Sequence, residues 1–142
     1  MVRKKITDKN TILINKLNTA IAIGDYNSVN ELLENNLDLN STDKNGHFPI
    51  MIAVGTDNVD ILKALLNHGA SPNAIDKRDG YSPLMKILKT KYQPNRLLIV
   101  KLLLQNGIDV NIIGKGGYTA LYLARLYHPR YIRLLKHFGA EF

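Results

Sequence analysis

Residues 43–75 read D-K-N-G-H-F-P-I-M-I-A-V-G-T-D-N-V-D-I-L-K-A-L-L-N-H-G-A-S-P-N-A-I, and at Asp76 the same kind of phrase begins again. Asn40 recurs as Asn73 after 33 residues, and Asp43 recurs as Asp76 at the same step. Self-similarity at such a period is the mark of a repeat array, in which a unit buries its apolar face by stacking on its neighbours. Inside the stretch, Pro49 suits the first turn of a helix, where a missing N–H costs nothing. Ala53 is small enough for adjacent helices to approach closely. Gly69 closes a second helix with a left-handed cap.

The chain on either side follows the same plan with departures. Residues 1–9 are polar and expected to fray. From about Asn10, Leu13, Ile14, Leu17, Ala20 and Ile21 recur at helical spacing, and Gly24-Asp25 ends that helix. A second helix is predicted from Asn27 to Asn35, with Val29, Leu32 and Leu33 inward and Asn36 tolerating the left-handed cap. The third unit is longer: Pro83 to Asn111 takes 28 steps, where Pro49 to Asn73 takes 24. The surplus falls around 89–96, and Pro94 predicts a break between two helices there. Leu97 to Leu104 is the most apolar helix, expected to lie sandwiched between neighbours. The fourth unit opens at Gly114-Lys115-Gly116-Gly117, and its second helix follows Pro129. Lys136 falls where the third unit has Leu104, and Arg130 and Arg133 add a polar outer face suited to a terminal cap. Capping character at both ends predicts a complete array.

Three segments carry a family resemblance: D-x-x-G at Asp43–Gly46, P-I-M-I-A at Pro49–Ala53, and Leu65-Leu66…Gly69-Ala70…Asn73. The chain resembles an ankyrin-repeat protein over about residues 16–141, with P-I-M-I-A standing where that family usually has T-P-L-H-x-A. The resemblance implies an all-α solenoid of about four helix-turn-helix units with short β-turn-like tips. It predicts a single domain over 1–142: a flexible 1–9, an N-terminal cap repeat at 10–42, a second repeat at 43–75, a third at 76–113 with its insertion near 89–96, and a C-terminal cap repeat at 114–142.

Composition narrows the chemistry. No run approaches the roughly 18 apolar residues that cross a bilayer, and Ile12-Leu13-Ile14 is too short for a signal-peptide core, so a cytoplasmic protein without membrane contact is expected. There is no cysteine, which removes disulfides, zinc knuckles and a thiol nucleophile together. The histidines His47, His68, His128 and His137 form no i,i+4 pair, and no G-x-S-x-G, phosphate-binding loop or G-x-G-x-x-G occurs. Gly114–Gly117 reads as the turn of the fourth unit. No catalytic residue, cofactor or metal site is expected.

The charge is uneven. Residues 1–71 hold seven Lys/Arg against eight Asp/Glu, whereas residues 72–142 hold twelve against four. A field concentrated on one half suits a partner with an acidic face. In ankyrin arrays the partner usually lies in the groove formed by the turn tips and the first helices, and the resemblance places residues there. His47, Tyr81 and Tyr118 follow the tip glycines. Ile52, Lys86 and Leu123 take the x of T-P-L-H-x-A. Lys44, Asn45, Lys77, Arg78 and Lys115 lie on the tips. Lys89, Thr90, Leu126 and Tyr127 lie at the ends of first helices, and Tyr92 stands in the insertion. Tyr81 and Tyr118 are the expected aromatic anchors, with Lys86, Lys77 and Arg78 supplying charge. Tyr122 and Tyr131 are expected to pack inward.

The function implied is a non-catalytic module, monomeric, that binds an acidic protein surface through a basic, tyrosine-bearing groove. Neutralising a toxin or capturing a host protein would fit it. The alternative is nucleic-acid binding through the basic half, where cations interleave with tyrosines.

Overall fold

Helices form where the apolar periodicity predicts them, with one extension. The computed structural model describes residues 2–141, with side-chain environments from Lys9 onward. By its contacts it divides into two compact units, Met1–Ser71 and Pro72–Phe142. Repeat units contact their sequence neighbours, so contacts local to each half define the division. Among the described residues there are eight α-helices and no strand.

The first unit holds α1 (Val2–Ile23), α2 (Tyr26–Leu33), α3 (Pro49–Gly55) and α4 (Val59–Asn67). Residues 2–9, expected to fray, continue the backbone of α1, because no Pro or Gly interrupts the helix before Gly24. Ile14, Leu17 and Ile21, spaced three and four apart, form the buried stripe of α1. They pack with Val29 and Leu33 of α2 and with Ile50, Ala53 and Val54 of α3, since α1 lies against both helices. Burying each larger side chain contributes about 1.5–3 kcal/mol. Asp25 and Asn58 cap α2 and α4 by accepting the amides of Ser28 and Ile61. Asn36 adopts the left-handed conformation expected of it, at φ 54°.

The second unit holds α5 (Pro83–Lys89), α6 (Arg96–Gln105), α7 (Ala120–Tyr127) and α8 (Ile132–His137), with 3₁₀ turns at Lys115–Gly117 and Pro129–Tyr131. α5 packs against α6 and α7, and α7 against α8. The break predicted at Pro94 falls between α5 and α6. The expectation that α6 is sandwiched is corrected: Leu97 and Leu98 are 46% and 56% exposed. The covered residues of that helix are Arg96, Ile99, Val100, Leu103 and Leu104.

Asparagine side chains set the register. Oδ1 of Asn40 accepts the amide of Ser71 at 2.8 Å while its Nδ2 donates to the carbonyl of Gly69 at 3.2 Å. Asn73 brackets Asp109 and Gly107 in the same way, at 2.7 and 3.4 Å. Asn111 brackets Glu141 and Gly139, both at 3.0 Å.

Candidate functional site

Each tip is organised by what stands at its first position. In the first unit, Oδ1 of Asp43 accepts the amides of Asn45 and His47 at 2.8 and 3.0 Å. Nδ2 of Asn18 donates to Oδ2 of Asp43 at 2.9 Å and to the carbonyl of His47 at 3.1 Å. Burial works against ionisation of Asp43. The bonds from Asn18, His47 and Asn45 outweigh it and hold the carboxyl below its usual value. Lys44 and Asn45 are exposed on this tip. His47 is half-buried, its Nδ1 3.6 Å from Asp43.

In the second unit, Lys77, Arg78, Tyr81, Lys86, Lys89, Lys115 and Tyr118 gather around two carboxylates. Arg78 grips Asp76 with both arms of its fork, Nε to Oδ1 at 3.0 Å and an Nη to Oδ2 at 2.8 Å. Nζ of Lys86 lies 3.0 Å from Asp76 and 2.6 Å from Asp79. Arg78 above all holds the Asp76 carboxyl far below the usual range. Burial opposes this, while the Arg78 amide and Lys86 add to it. For Lys86, burial disfavours the charge, but Asp79 and Asp76 more than compensate and its pKa is raised. Lys115 donates from Nζ to the carbonyls of Lys77 and Arg78, at 2.8 and 2.9 Å.

This changes the role of several predicted contact residues. Lys86, Arg78 and Lys115 are engaged within the protein, closing the tip instead of standing free for an acidic partner. Tyr81, an expected anchor, is 4% exposed. Its ring lies against Gly114, meets Tyr118 edge-on at 6.5 Å and carries Nζ of Lys89 5.1 Å from its centroid. Burial first, then the charge of Asp79, raises its phenol pKa. Tyr122 is corrected the other way. It was expected inside and is 46% exposed, although the bond from its amide to Thr119 matches that of the fully buried Met85 to Ser82. Tyr131 is buried as expected.

What remains exposed is an aromatic stripe. Tyr122 and Leu126, four apart on one face of α7, are 46% and 57% exposed, and Tyr118, in extended backbone just before the cap of α7, is 38% exposed. The rings of Tyr118 and Tyr122 touch at 5.2 Å. Tyr127, 49% exposed, ends the same helix. Lys77 and Lys89 are exposed in this unit, and Tyr92 stands out from the loop after α5 at 83%. The four-residue step from Tyr118 was visible in the sequence, and only the analogy of Tyr122 with an inward histidine concealed it. Among the described residues no three His, Asp or Glu side chains come together as a metal site, and no helix is long and apolar enough to cross a membrane.

The helix pairs, their tips and the asparagine brackets agree with a family model. The model described as Ankyrin repeats (3 copies) matches residues 17–113. This chain belongs to the ankyrin-repeat family. Among similar proteins is the armadillo (Dasypus novemcinctus) ankyrin repeat, SAM and basic leucine zipper domain-containing protein 1, 32% identical over 124 residues. That match covers 86% of this chain and 26% of the relative. An ankyrin repeat protein of fowlpox virus (strain NVSL) is 32% identical over 108 residues, covering 76% of this chain and 24% of its own length. The lemur Eulemur macaco macaco supplies a counterpart of the first at 34% over 115 residues, 80% of this chain and 24% of that protein. The ankyrin chain thus spans about a quarter of each of these relatives.

Proposed function

We propose that this ankyrin chain is a non-catalytic protein-binding module. Its second unit engages an acidic partner through the stripe of Tyr118, Tyr122, Leu126 and Tyr127, with Lys89 and Lys77 beside it. The observation that carries this reading is the exposure of three tyrosines and a leucine along the tip and helix of α7. Tyrosine gives large contact area at small entropic cost and is enriched among binding hot spots. The excess of twelve Lys/Arg over four Asp/Glu in residues 72–142 supports an acidic partner, drawn in by the field of the unit as a whole. With the tip cations closed on Asp76 and Asp79, specificity rests on the aromatic surface more than on a cationic groove. A preformed surface without reactive groups suits sequestration, as of a toxin or a host protein.

The test is affinity capture from a nuclease-treated lysate, followed by titration of the purified captured protein. Wild type is compared with a Tyr118→Ala/Tyr122→Ala/Tyr127→Ala variant of unchanged circular dichroism. An acidic protein bound at least about tenfold more weakly by the variant is expected. Equal affinity for both would reject the stripe. Capture that occurs only from a parallel untreated lysate would favour the nucleic-acid reading.

A further inference from the structure

A second surface in residues 72–142 bears the opposite relation between charge and partners. A cavity of about 750 Å³ lies between α6 and α8. Leu97, Leu134 and Tyr131 give it an apolar floor, and Lys101, Arg130, Arg133 and His137 stand around it. No carboxylate is among the residues that line it. The sequence explains why: no Asp or Glu occurs between Asp79 and Asp109, or between Asp109 and Glu141. At the tip Arg78 and Lys86 close on Asp76 and Asp79. Here no ion pair among the described residues engages Lys101, Arg130 or Arg133.

The cavity owes one wall to the extra residues of the third unit. The link between α3 and α4 is only Thr56–Asn58, whereas Thr90–Asn95 separates α5 from α6. Arg96, 3% exposed, fixes that longer loop by donating to the carbonyls of Ile87 at 3.2 Å, Thr90 at 2.8 Å and Lys91. The loop thus carries Gln93 and Pro94 to the edge of the cavity, and the Arg96 charge sits in its inner wall, balanced by carbonyls and by no carboxylate among these bonds.

We propose that this cavity is a docking site for an acidic peptide segment of a partner protein. One aliphatic or aromatic side chain of the peptide seats on Leu97 and Leu134, and flanking carboxylates reach Lys101, Arg130 and Arg133. Charge complementarity selects the acid, and the apolar floor selects a peptide over a simple polyanion. Nucleic acid fits less well. A stacking platform needs an open aromatic face, and Tyr131 is 3% exposed with the Arg130 guanidinium 5.3 Å from its ring centroid. The volume falls within the range of pockets that enclose a small ligand or an anchoring side chain. The site shares no residue with the α7 stripe, so each can fail without the other.

The test uses the full chain against a displayed library of random 12-residue peptides, with the enriched sequences then synthesised and titrated by fluorescence anisotropy. Enriched peptides are expected to carry two or more carboxylates beside an apolar residue. Their affinity should fall at least about tenfold for Lys101→Glu/Arg133→Glu and several-fold for Leu97→Ser, and be unchanged for Tyr122→Ala. Both charge-reversal sites are exposed, and an unchanged melting temperature confirms the fold of that variant. The proposal is overturned if nothing enriches, if enriched peptides lack acids, or if the charge reversal leaves affinity intact. It is also overturned if oligo-dT of 20 nucleotides displaces the peptide from the same site and binds more tightly at physiological salt.

Discussion

A methyl group on Gly114 would lie 2.6 Å from Cδ1 of Tyr81 and 2.9 Å from Cε of Met85, closer than packed atoms allow. Gly114 takes the place that Asp43 and Asp76 hold in earlier tips: all three donate their amide across the tip, to His47, Tyr81 and Tyr118 respectively. The fourth tip gives up its carboxylate so that the tyrosine of the third can lie flat beneath it. Gly114 has φ −80°, an ordinary value, so contact and not conformation excludes a side chain. Gly114→Ala should cost about 1–3 kcal/mol through overpacking. A thermal-melting cycle with Tyr81→Leu should recover part of that loss, and strict additivity would contradict the contact.

Asp76 should make stability depend on acid. Its folded pKa is depressed, chiefly by Arg78, so the unfolded chain binds the proton more readily. Its contribution is therefore full above the unfolded value near 3.8 and is lost as pH falls below it toward the folded value. Asp76→Asn should destabilise by about 2–3 kcal/mol at pH 7, because the Arg78 fork loses its carboxylate and the partly buried Lys86 keeps only Asp79. In urea titrations at pH 7 and pH 2.5 the difference between variant and wild type should shrink at the lower pH. A constant difference would remove the ionised carboxylate from the account.

Arg96 should hold the loop rather than the core. Arg96→Met strips the carbonyls of Ile87, Thr90 and Lys91 of their donor, at about 1–3 kcal/mol. Limited trypsin digestion should then cut after Lys91 much faster than in wild type. Arg96→Lys should rescue little, since a single ammonium does not reproduce the spread of the guanidinium fork. Equal digestion of all three proteins would show that the loop needs no clamp.

Asn111 secures the end of the described chain. Asn111→Ala should cost about 1 kcal/mol, the usual net worth of exposed hydrogen bonds. Its signature is local: amide exchange at Glu141 should quicken while Leu103 and Leu121 in the core keep wild-type protection. Uniform acceleration across the unit would mean that the bracket stabilises more than the terminal turn.

The repeat, the helix pairs and the caps were legible because they depend on local spacing: Asn40 to Asn73, Pro49, Gly69, Asn36. The site was half legible. Tyr81 and Tyr118 occupy the same position after a tip glycine, yet one is covered and the other open. The difference lies in Gly114, 33 residues beyond Tyr81, which no reading of the tip itself includes. Lys86 looked free because its acids, Asp76 and Asp79, meet it only once the tip has folded back over α5. Arg130 and Arg133 were read only as the polar outer face of a cap, since Lys101, which shares the cavity with them, is far away in sequence.

The asparagine brackets make the same pair of bonds although the chain between their ends differs: Asn40 reaches Gly69 and Asn73 reaches Gly107, separations of 29 and 34. Each bracket is therefore closed by the same hydrogen-bond geometry, and the length of chain inside it is free to vary. The longer segment after α5 is extra chain inside one bracket, tied at its start by Arg96. Tyr92, the most exposed side chain of that segment, accordingly marks where foreign sequence could be inserted while α5 and α6 keep their register.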